Sequence, residues 1–382
     1  MFHLGINARA LINPQTRGLS RHTFNLVKYL KIIAPQIKVS LFSNMPIAAR
    51  FRQELETYPN IHFIDSGIPS KNRWEFLVLP KLLSQSNIDI FHSPINQGIP
   101  PLPSRIKSVL TLHDLFTHED MWLNLKQGHL WTYLSYRYSL HHSLKANRII
   151  AVSHYTKNAI DESFPRLGRN VDVVYNGADE STTQQRLANL PSGRYIAYVG
   201  GLESRKNTDF LVKHFSQFYF QNTSKTIPYL LIAGPPHSAN PSLLKQLNQT
   251  KGIIFYPNPT DQEVESIFQH AYCTIHPSLR EGFGLQLIES IKAQTPMLAS
   301  NIPPFKEIAE GCCEYFDPAD GESLINSLIK ITEDSNYREH LKNNCVAKME
   351  HFSWKKMATE TLDIYTKLLE HKFPKYEGKT TS

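Results

Sequence analysis

The sequence predicts two doubly wound α/β domains, on three observations. Short apolar runs of strand length alternate with longer helical patterns along the chain, the arrangement of parallel α/β layers. The runs fall into two groups separated by one polar, turn-rich stretch. The length, 382 residues, exceeds a typical single core and suits two domains.

In the first group the strand-like runs are FHLGINA, KVSLFSN, IHFIDS, IDIFHSP, KSVLTLHD, RIIAVS and VDVVYNG; in the second they are RYIAYVGG, YLLIAG, GIIFYPN, AYCTIHPS, PMLASN and CCEYFDP. Most end in Gly, Ser, Asn, Asp or Pro, so their C-terminal ends feed polar loops. In open parallel sheets that edge is where ligands bind. Between the groups, NGADESTTQQRLANLPSGR reads as a linker starting near Asn176. The expected division is a first domain over 1–178, a linker over 179–193, a second domain over 194–355, and a C-terminal helix and tail over 356–382. In FSWKKMATETLDIYTKLLEHKF, Trp354, Met357, Leu362, Tyr365 and Leu368 lie roughly on one helical face, as in a helix that closes a core. Two such domains on one linker would face each other across a cleft.

Hydrophobic residues at 41% and charged ones at 20% are globular values and exclude a disordered chain. The four cysteines, Cys273, Cys312, Cys313 and Cys345, have no metal-ligand spacing and fit a reducing compartment. The start, MFHLGINARALINPQTRG, lacks the basic and apolar regions of a signal peptide, and no apolar run approaches the roughly 18 residues of a membrane span. The expected location is the cytoplasm, or the inner face of the cytoplasmic membrane as a peripheral protein. The net charge of +7 is uneven: residues 1–150 hold 17 Lys+Arg against 8 Asp+Glu, the remainder 24 against 26. Either the first half meets something anionic, or its lysines and arginines are scattered and solvated.

Two motifs carry chemistry. In YIAYVGGLESRKNTDFLVKHF a strand ends in Gly200-Gly201, and Arg205 and Lys206 precede a helix beginning near Asn207. A helix N-terminus already favours an anion, and a planar Arg fork beside a mobile Lys charge suits a diphosphate. An Arg-Lys pair capping a surface turn has the same appearance. There is no G-x-x-x-x-G-K-[ST] phosphate loop. In HPSLREGFGLQLIES a strand, a glycine-bearing loop and a helix follow one another, with Glu281 in the loop and Glu289 in the helix. Eight helical residues would span about 12 Å, the scale of a nucleotide sugar between its sugar and its ribose. Carboxylates suit neighbouring hydroxyls. The amides of Phe283, Gly284 and Leu285, with Gly282 completing the turn, would point at the phosphates between them. A loop glutamate and a solvated helix glutamate that share nothing is the competing reading.

YVGGLESRKN, HPSLREGFGLQLIES, PMLASNIPPFKEIAEGCCEYFDPAD and FSWKKMATETLDIY, in this order, resemble the C-terminal domain of retaining glycosyltransferase family 4, which has the GT-B fold. The resemblance implies that Glu281 holds hydroxyls of the donor sugar, Glu289 holds the ribose, and Arg205 and Lys206 bind the diphosphate. In the first half, RGLSRHTFNL stands where the family has a G-x-G-R-[YF] loop touching the donor phosphates; Gly18 and Arg21 are retained and Ser20 replaces the second glycine. VLTLHDLF matches the family's strand-ending His-Asp, which implies cleft positions for His113 and Asp114, with His113 against a sugar hydroxyl or the diphosphate. Gln286 and Gln294 replace a common proline and glycine. The implied chemistry is front-face transfer with retention, a donor phosphate oxygen taking the acceptor proton. No D-x-D motif is present, so no metal or other cofactor is expected, and cations with helix dipoles would stabilise the departing diphosphate.

The pattern IDIFHSPINQGIPPL followed by VLTLHDLF resembles mannosyltransferases of O-antigen assembly, which points to GDP-mannose; UDP-glucose or UDP-N-acetylglucosamine fits the same motifs. The expected partners are a nucleotide-sugar donor, a polyprenyl-diphosphate-linked saccharide acceptor and an anionic membrane surface. GHLWTYLSYRYSLHHSLKANR, 128–148, has the composition of a membrane interface and equally of a partly buried helix. A non-catalytic nucleotide-sugar-binding scaffold is a second reading. Nucleic-acid binding lacks any recognised motif and is not expected.

Overall fold

The computed structural model describes residues 2–14, 18–116, 130–167, 170–178, 186–222 and 227–370. The described residues contain the thirteen strands that the apolar runs predict. The first seven are β1 (His3–Asn7), β2 (Lys38–Ser43), β3 (Ile61–Asp65), β4 (Ile90–Ser93), β5 (Lys107–Leu112), β6 (Arg148–Ala151) and β7 (Val171–Val173). The other six are β8 (Tyr195–Val199), β9 (Tyr229–Gly234), β10 (Ile253–Pro257), β11 (Cys273–His276), β12 (Met297–Ser300) and β13 (Cys313–Phe316). Each set forms one parallel sheet, ordered β3-β2-β1-β4-β5-β6-β7 and β10-β9-β8-β11-β12-β13. Strands such as Tyr195–Val199 and Met297–Ser300 are buried at every position. Helices therefore cover both faces, and the strands read as continuous apolar runs.

The chain divides into two compact units, residues up to Asn176 together with those from Trp354 on, and Gly177–Ser353. The helix Trp354–Glu370 packs on the helix Gly18–Ile33. Its buried stripe is Trp354, Met357, Ala358, Thr361, Ile364 and Tyr365, so Leu362 and Leu368 of the expected face are only half-buried. Tyr365 anchors it, with its hydroxyl 2.5 Å from His92 Nδ1 and its ring edge-on to Phe2. Of the expected linker, 179–185 lies outside the described residues. Leu187 and Leu190 pack against the core of the second unit.

In both sheets the strand order reverses at one place, between β1 and β4 and between β8 and β11. A crevice opens beyond the strand C-termini at such a switch point. The motif residues of each unit lie on the loops, turns and helix starts that follow strand C-termini.

Candidate functional site

In the second unit β8 and β11 are direct neighbours, Cys273 opposite Ile196 and Thr274 opposite Ala197. Segments 75 residues apart therefore leave the sheet side by side, tied by the Leu279 amide donating to the Arg205 carbonyl at 2.9 Å. Glu281 and Lys206 are 8% and 6% exposed, a burial that charges tolerate only when paired. Lys206 Nζ donates to Glu281 Oε1 at 2.5 Å, Ser278 Oγ to the same oxygen at 2.9 Å, and Arg205 to Oε2 at 3.3 Å. Burial alone would raise the Glu281 pKa; the Lys206 and Arg205 charges outweigh it and lower it, so this carboxylate is ionised and accepts only. The Arg205 side chain is 38% accessible, leaving guanidinium N–H groups open to solvent. Two cations against one carboxylate leave a positive excess facing outward.

The backbone shapes the rest. Tyr198 donates its hydroxyl to the Gly201 carbonyl, and the Gly200 amide is held by Ala233 at 3.0 Å. Gly282 and Phe283 are buried, Phe283 edge-on to Phe352 at 6.3 Å. Gly284, at φ +97, caps the helix Leu285–Lys292. A Cβ there would lie 2.8 Å from the Phe305 ring, so both its dihedral and its space require glycine. Leu285 opens the helix, where the first amides have no intrahelical acceptor. Glu289 is half-buried one turn on, so the Glu281–Glu289 spacing is half loop and half helix. No motif in the sequence singles out His276; burial first, then Lys206, push it down to about 3, with Glu281 opposing. It stays neutral, bonded to Thr274 and Ser290.

In the first unit the histidines at the corresponding edge are neutral. His113 follows β5; Asn96 accepts from its amide at 2.7 Å, and its Nε2 lies 3.1 Å from the Pro94 carbonyl. A carbonyl only accepts, so Nε2 carries the proton and Nδ1 keeps a lone pair. Burial lowers His113 to about 4, the Pro94 bond opposing and His92 adding. His22 meets its ring edge-on at 4.7 Å and bonds through Nδ1 to Asn176 at 2.7 Å. Burial and then His113 push His22 to about 3. Asp114 is turned elsewhere: its Oδ1 accepts from Asn96 and the Phe116 amide, both at 3.2 Å.

The loop expected over Gly18–Arg21 is the first turn of the helix Gly18–Ile33. With Ser20 in place of a glycine and buried, the segment continues into the helix rather than opening a glycine turn. His22 was legible in principle, since a histidine stands where the G-x-G-R-[YF] pattern has an aromatic ring. No group of three or more His, Cys, Asp or Glu that could hold a metal occurs among the described residues.

The family model described as Glycosyltransferase Family 4 matches residues 16–182, and that described as Glycosyl transferases group 1 matches 179–347. The chain belongs to glycosyltransferase family 4. Among relatives of this family 4 chain, O-antigen chain mannosyltransferase B of Escherichia coli is 25% identical over 281 residues, 69% of this chain and 71% of that protein. The O-antigen chain mannosyltransferase RfbU of Salmonella typhimurium is 24% identical, covering 67% and 69%. The fold is GT-B. HepE of Anabaena, solved with UDP and glucose, superposes at TM-score 0.73 over 96% of this chain and all of its own, with 14% identity. WaaG, a glycosyltransferase involved in lipopolysaccharide biosynthesis, gives 0.71 over 95% and 99%, also at 14% identity.

Proposed function

We propose that this family 4 glycosyltransferase moves a hexose, with retention, from a nucleotide sugar onto a lipid-linked saccharide in bacterial surface polysaccharide synthesis. The observation that carries it is the buried Glu281 held by Lys206, Arg205 and Ser278. An ionised, acceptor-only carboxylate binds sugar hydroxyls, and the cationic excess beside it binds a diphosphate. Glu289 takes the ribose, as the family resemblance implies. The Gly201 turn and the amides from Gly282 to Leu285 approach the diphosphate.

In the transfer, the bond from the anomeric carbon to the diphosphate oxygen breaks. The acceptor oxygen bonds to the same face, and its proton passes to a donor phosphate oxygen. Arg205 and Lys206 stabilise the charge that develops on the leaving diphosphate, which places them in the rate as well as the binding. His113, neutral with Nδ1 as acceptor, takes a hydrogen bond from a sugar hydroxyl and has no proton to offer a phosphate. Asp114 supports the His113 turn through Asn96. No metal is required, so activity should survive a chelator.

GDP-mannose is the proposed donor, supported by the two relatives named as mannosyltransferases. The acceptor is a polyprenyl-diphosphate-linked saccharide, reached from the inner membrane face. No helix among the described residues is long and apolar enough to cross a membrane. The test is a panel of GDP-mannose, UDP-glucose and UDP-N-acetylglucosamine, read by thermal stabilisation and nucleoside diphosphate release. GDP-mannose should stabilise most and be turned over. Preference for a UDP sugar would overturn the donor, and no response to any of them would overturn the enzyme reading.

A further inference from the structure

A second Arg-Lys-Glu group stands in the first unit, and no motif announces it. Arg9 follows β1 at the switch point, its amide 3.3 Å from Asn7 Oδ1. The β1 end is tied to β2 by the Ala8 amide donating to Phe42. The β2 end in turn holds the loop after β3: the Ile68 amide donates to the Asn44 carbonyl at 2.7 Å, and Asn44 Nδ2 donates back to the Ile68 carbonyl at 3.1 Å. That loop leads through Ser70, whose hydroxyl caps the short helix Lys71–Arg73, into a π-helical turn, Trp74–Val78. Such turns are rare and frequent at functional sites. This one places Glu75 inside, 1% exposed, where Ser139 of the helix Leu130–Ser143 donates to Oε1 and Oε2 is buried without a hydrogen-bond partner.

Arg9, Lys71 and Glu75 are near enough to act on one another's charge. Burial, then Arg9, push the Lys71 ammonium down to about 8 against the pull of Glu75. Burial likewise lowers Arg9. Neither cation makes a salt bridge among the described residues. Two half-buried cations against one carboxylate leave a positive charge uncompensated in a poorly solvated place, which an anion would neutralise.

The surroundings say what kind of anion. Leu77 on the π turn is 68% exposed, and Trp131, Leu134 and Tyr138 on the helix Leu130–Ser143 are 83%, 45% and 45% exposed. Phe76 meets Tyr138 edge-on at 4.8 Å, so the two elements present their apolar side chains together. Exposed apolar groups of this size, on the two elements that hold Glu75 between them, fit with the cations an amphiphile with a phosphate head. We propose that Arg9 and Lys71 bind the diphosphate of a prenyl-chain acceptor, whose chain lies along Leu77, Trp131 and Leu134. This rests on the lipid-linked acceptor of the proposed function.

The experiment uses the full chain with farnesyl diphosphate, inorganic pyrophosphate and phosphatidylglycerol vesicles, binding read by calorimetry and cosedimentation. Farnesyl diphosphate should bind the wild type. Lys71→Gln and Arg9→Gln should each weaken it at least tenfold, with Lys71→Arg restoring most of the loss. Leu77→Glu should weaken farnesyl diphosphate but not pyrophosphate, a pattern that misfolding would not give. Glu75→Gln should bind farnesyl diphosphate more tightly, because a competing charge is gone. Unchanged farnesyl diphosphate binding in the Lys71 and Arg9 variants would overturn the proposal. So would a loss confined to phosphatidylglycerol vesicles, which would make this a headgroup contact. Wild-type stabilisation by nucleotide sugars is measured alongside. Its absence counts against the transferase reading alone, and farnesyl diphosphate results count against this site alone.

Discussion

The two Arg-Lys-Glu groups use the same residue types, one on neighbouring switch-point strands and the other spread from β1 to the edge strand β3, and they are built differently. Arg205, Lys206 and Glu281 are locked by short charge-assisted hydrogen bonds, with Lys206 to Glu281 at 2.5 Å. Arg9 and Lys71 interact with Glu75 only through space, while Glu75 itself is bonded to Ser139. The first is a finished ion pair that holds a carboxylate ready for hydroxyls. The second has its cations unsatisfied and its carboxylate committed elsewhere. Identical composition therefore implies different stability: a paired buried charge is costly to break, whereas an unpaired half-buried cation is costly to keep.

Breaking the paired group has the largest expected effect. Lys206→Ala leaves Glu281 buried with Ser278 and a half-exposed Arg205, so the second unit should lose about 3 kcal/mol or more, and nucleotide diphosphate binding should vanish. Thermal unfolding with and without ligand checks both. Glu281→Gln removes the charge with less disruption, and transfer should fall by orders of magnitude.

Acid separates the two units next. The first contains three neutral histidines, His22 and His92 buried and His113 half-buried: His22 at about 3, His113 at about 4, and His92 well below its ordinary value through burial and then His22. Their unfolded forms take up protons near pH 6.5 while the folded forms do not. Stability is thus full above about pH 6.5 and falls as pH drops towards the folded values, by up to about 1.4 kcal/mol per pH unit for each histidine. The second unit has His276 in this state, and Glu281, whose stabilisation is lost only as pH falls below about 4.5. The first unit should unfold first. All four tryptophans, Trp74, Trp122, Trp131 and Trp354, belong to its residues, so tryptophan fluorescence follows it alone, and hydrogen exchange follows both.

Gly284→Ala should cost about 1–3 kcal/mol, from the left-handed dihedral and the Phe305 contact, and should weaken nucleotide diphosphate binding by displacing the helix start. The smallest effect is expected at the unpaired group. Lys71→Gln should change the melting temperature little or raise it slightly, in contrast with Lys206→Ala, since it relieves repulsion with Arg9. A loss comparable to that of Lys206→Ala would mean that the two groups are alike after all.

This contrast also marks what the sequence makes legible. The strands are readable as short apolar runs, most of them closed by Gly, Ser, Asn, Asp or Pro, because the central ones are buried on both faces; the edge strands β3 and β10, only partly covered, keep enough apolar residues to be read with them. The Arg205–Lys206–Glu281 group is readable because each part lies in a contiguous motif, and two neighbouring strands bring the parts together. The first unit disperses its groups. His22 and His113 come from a helix and a strand end, while Arg9, Lys71 and Glu75 meet only through the β1-β2-β3 edge and a π turn that no periodicity announces. The helix Trp354–Glu370 is readable as amphipathic, but its return to the first unit depends on Tyr365 meeting His92 across 273 residues, which local pattern does not encode.

The donor diphosphate is expected on the Arg205–Lys206–Glu281 group. Hydrogen exchange on the full chain, with and without saturating GDP, tests it most directly. GDP should protect 200–206 and 278–289, and Lys206→Ala should abolish that protection. Protection confined to other segments, or the same protection in the variant, would contradict it.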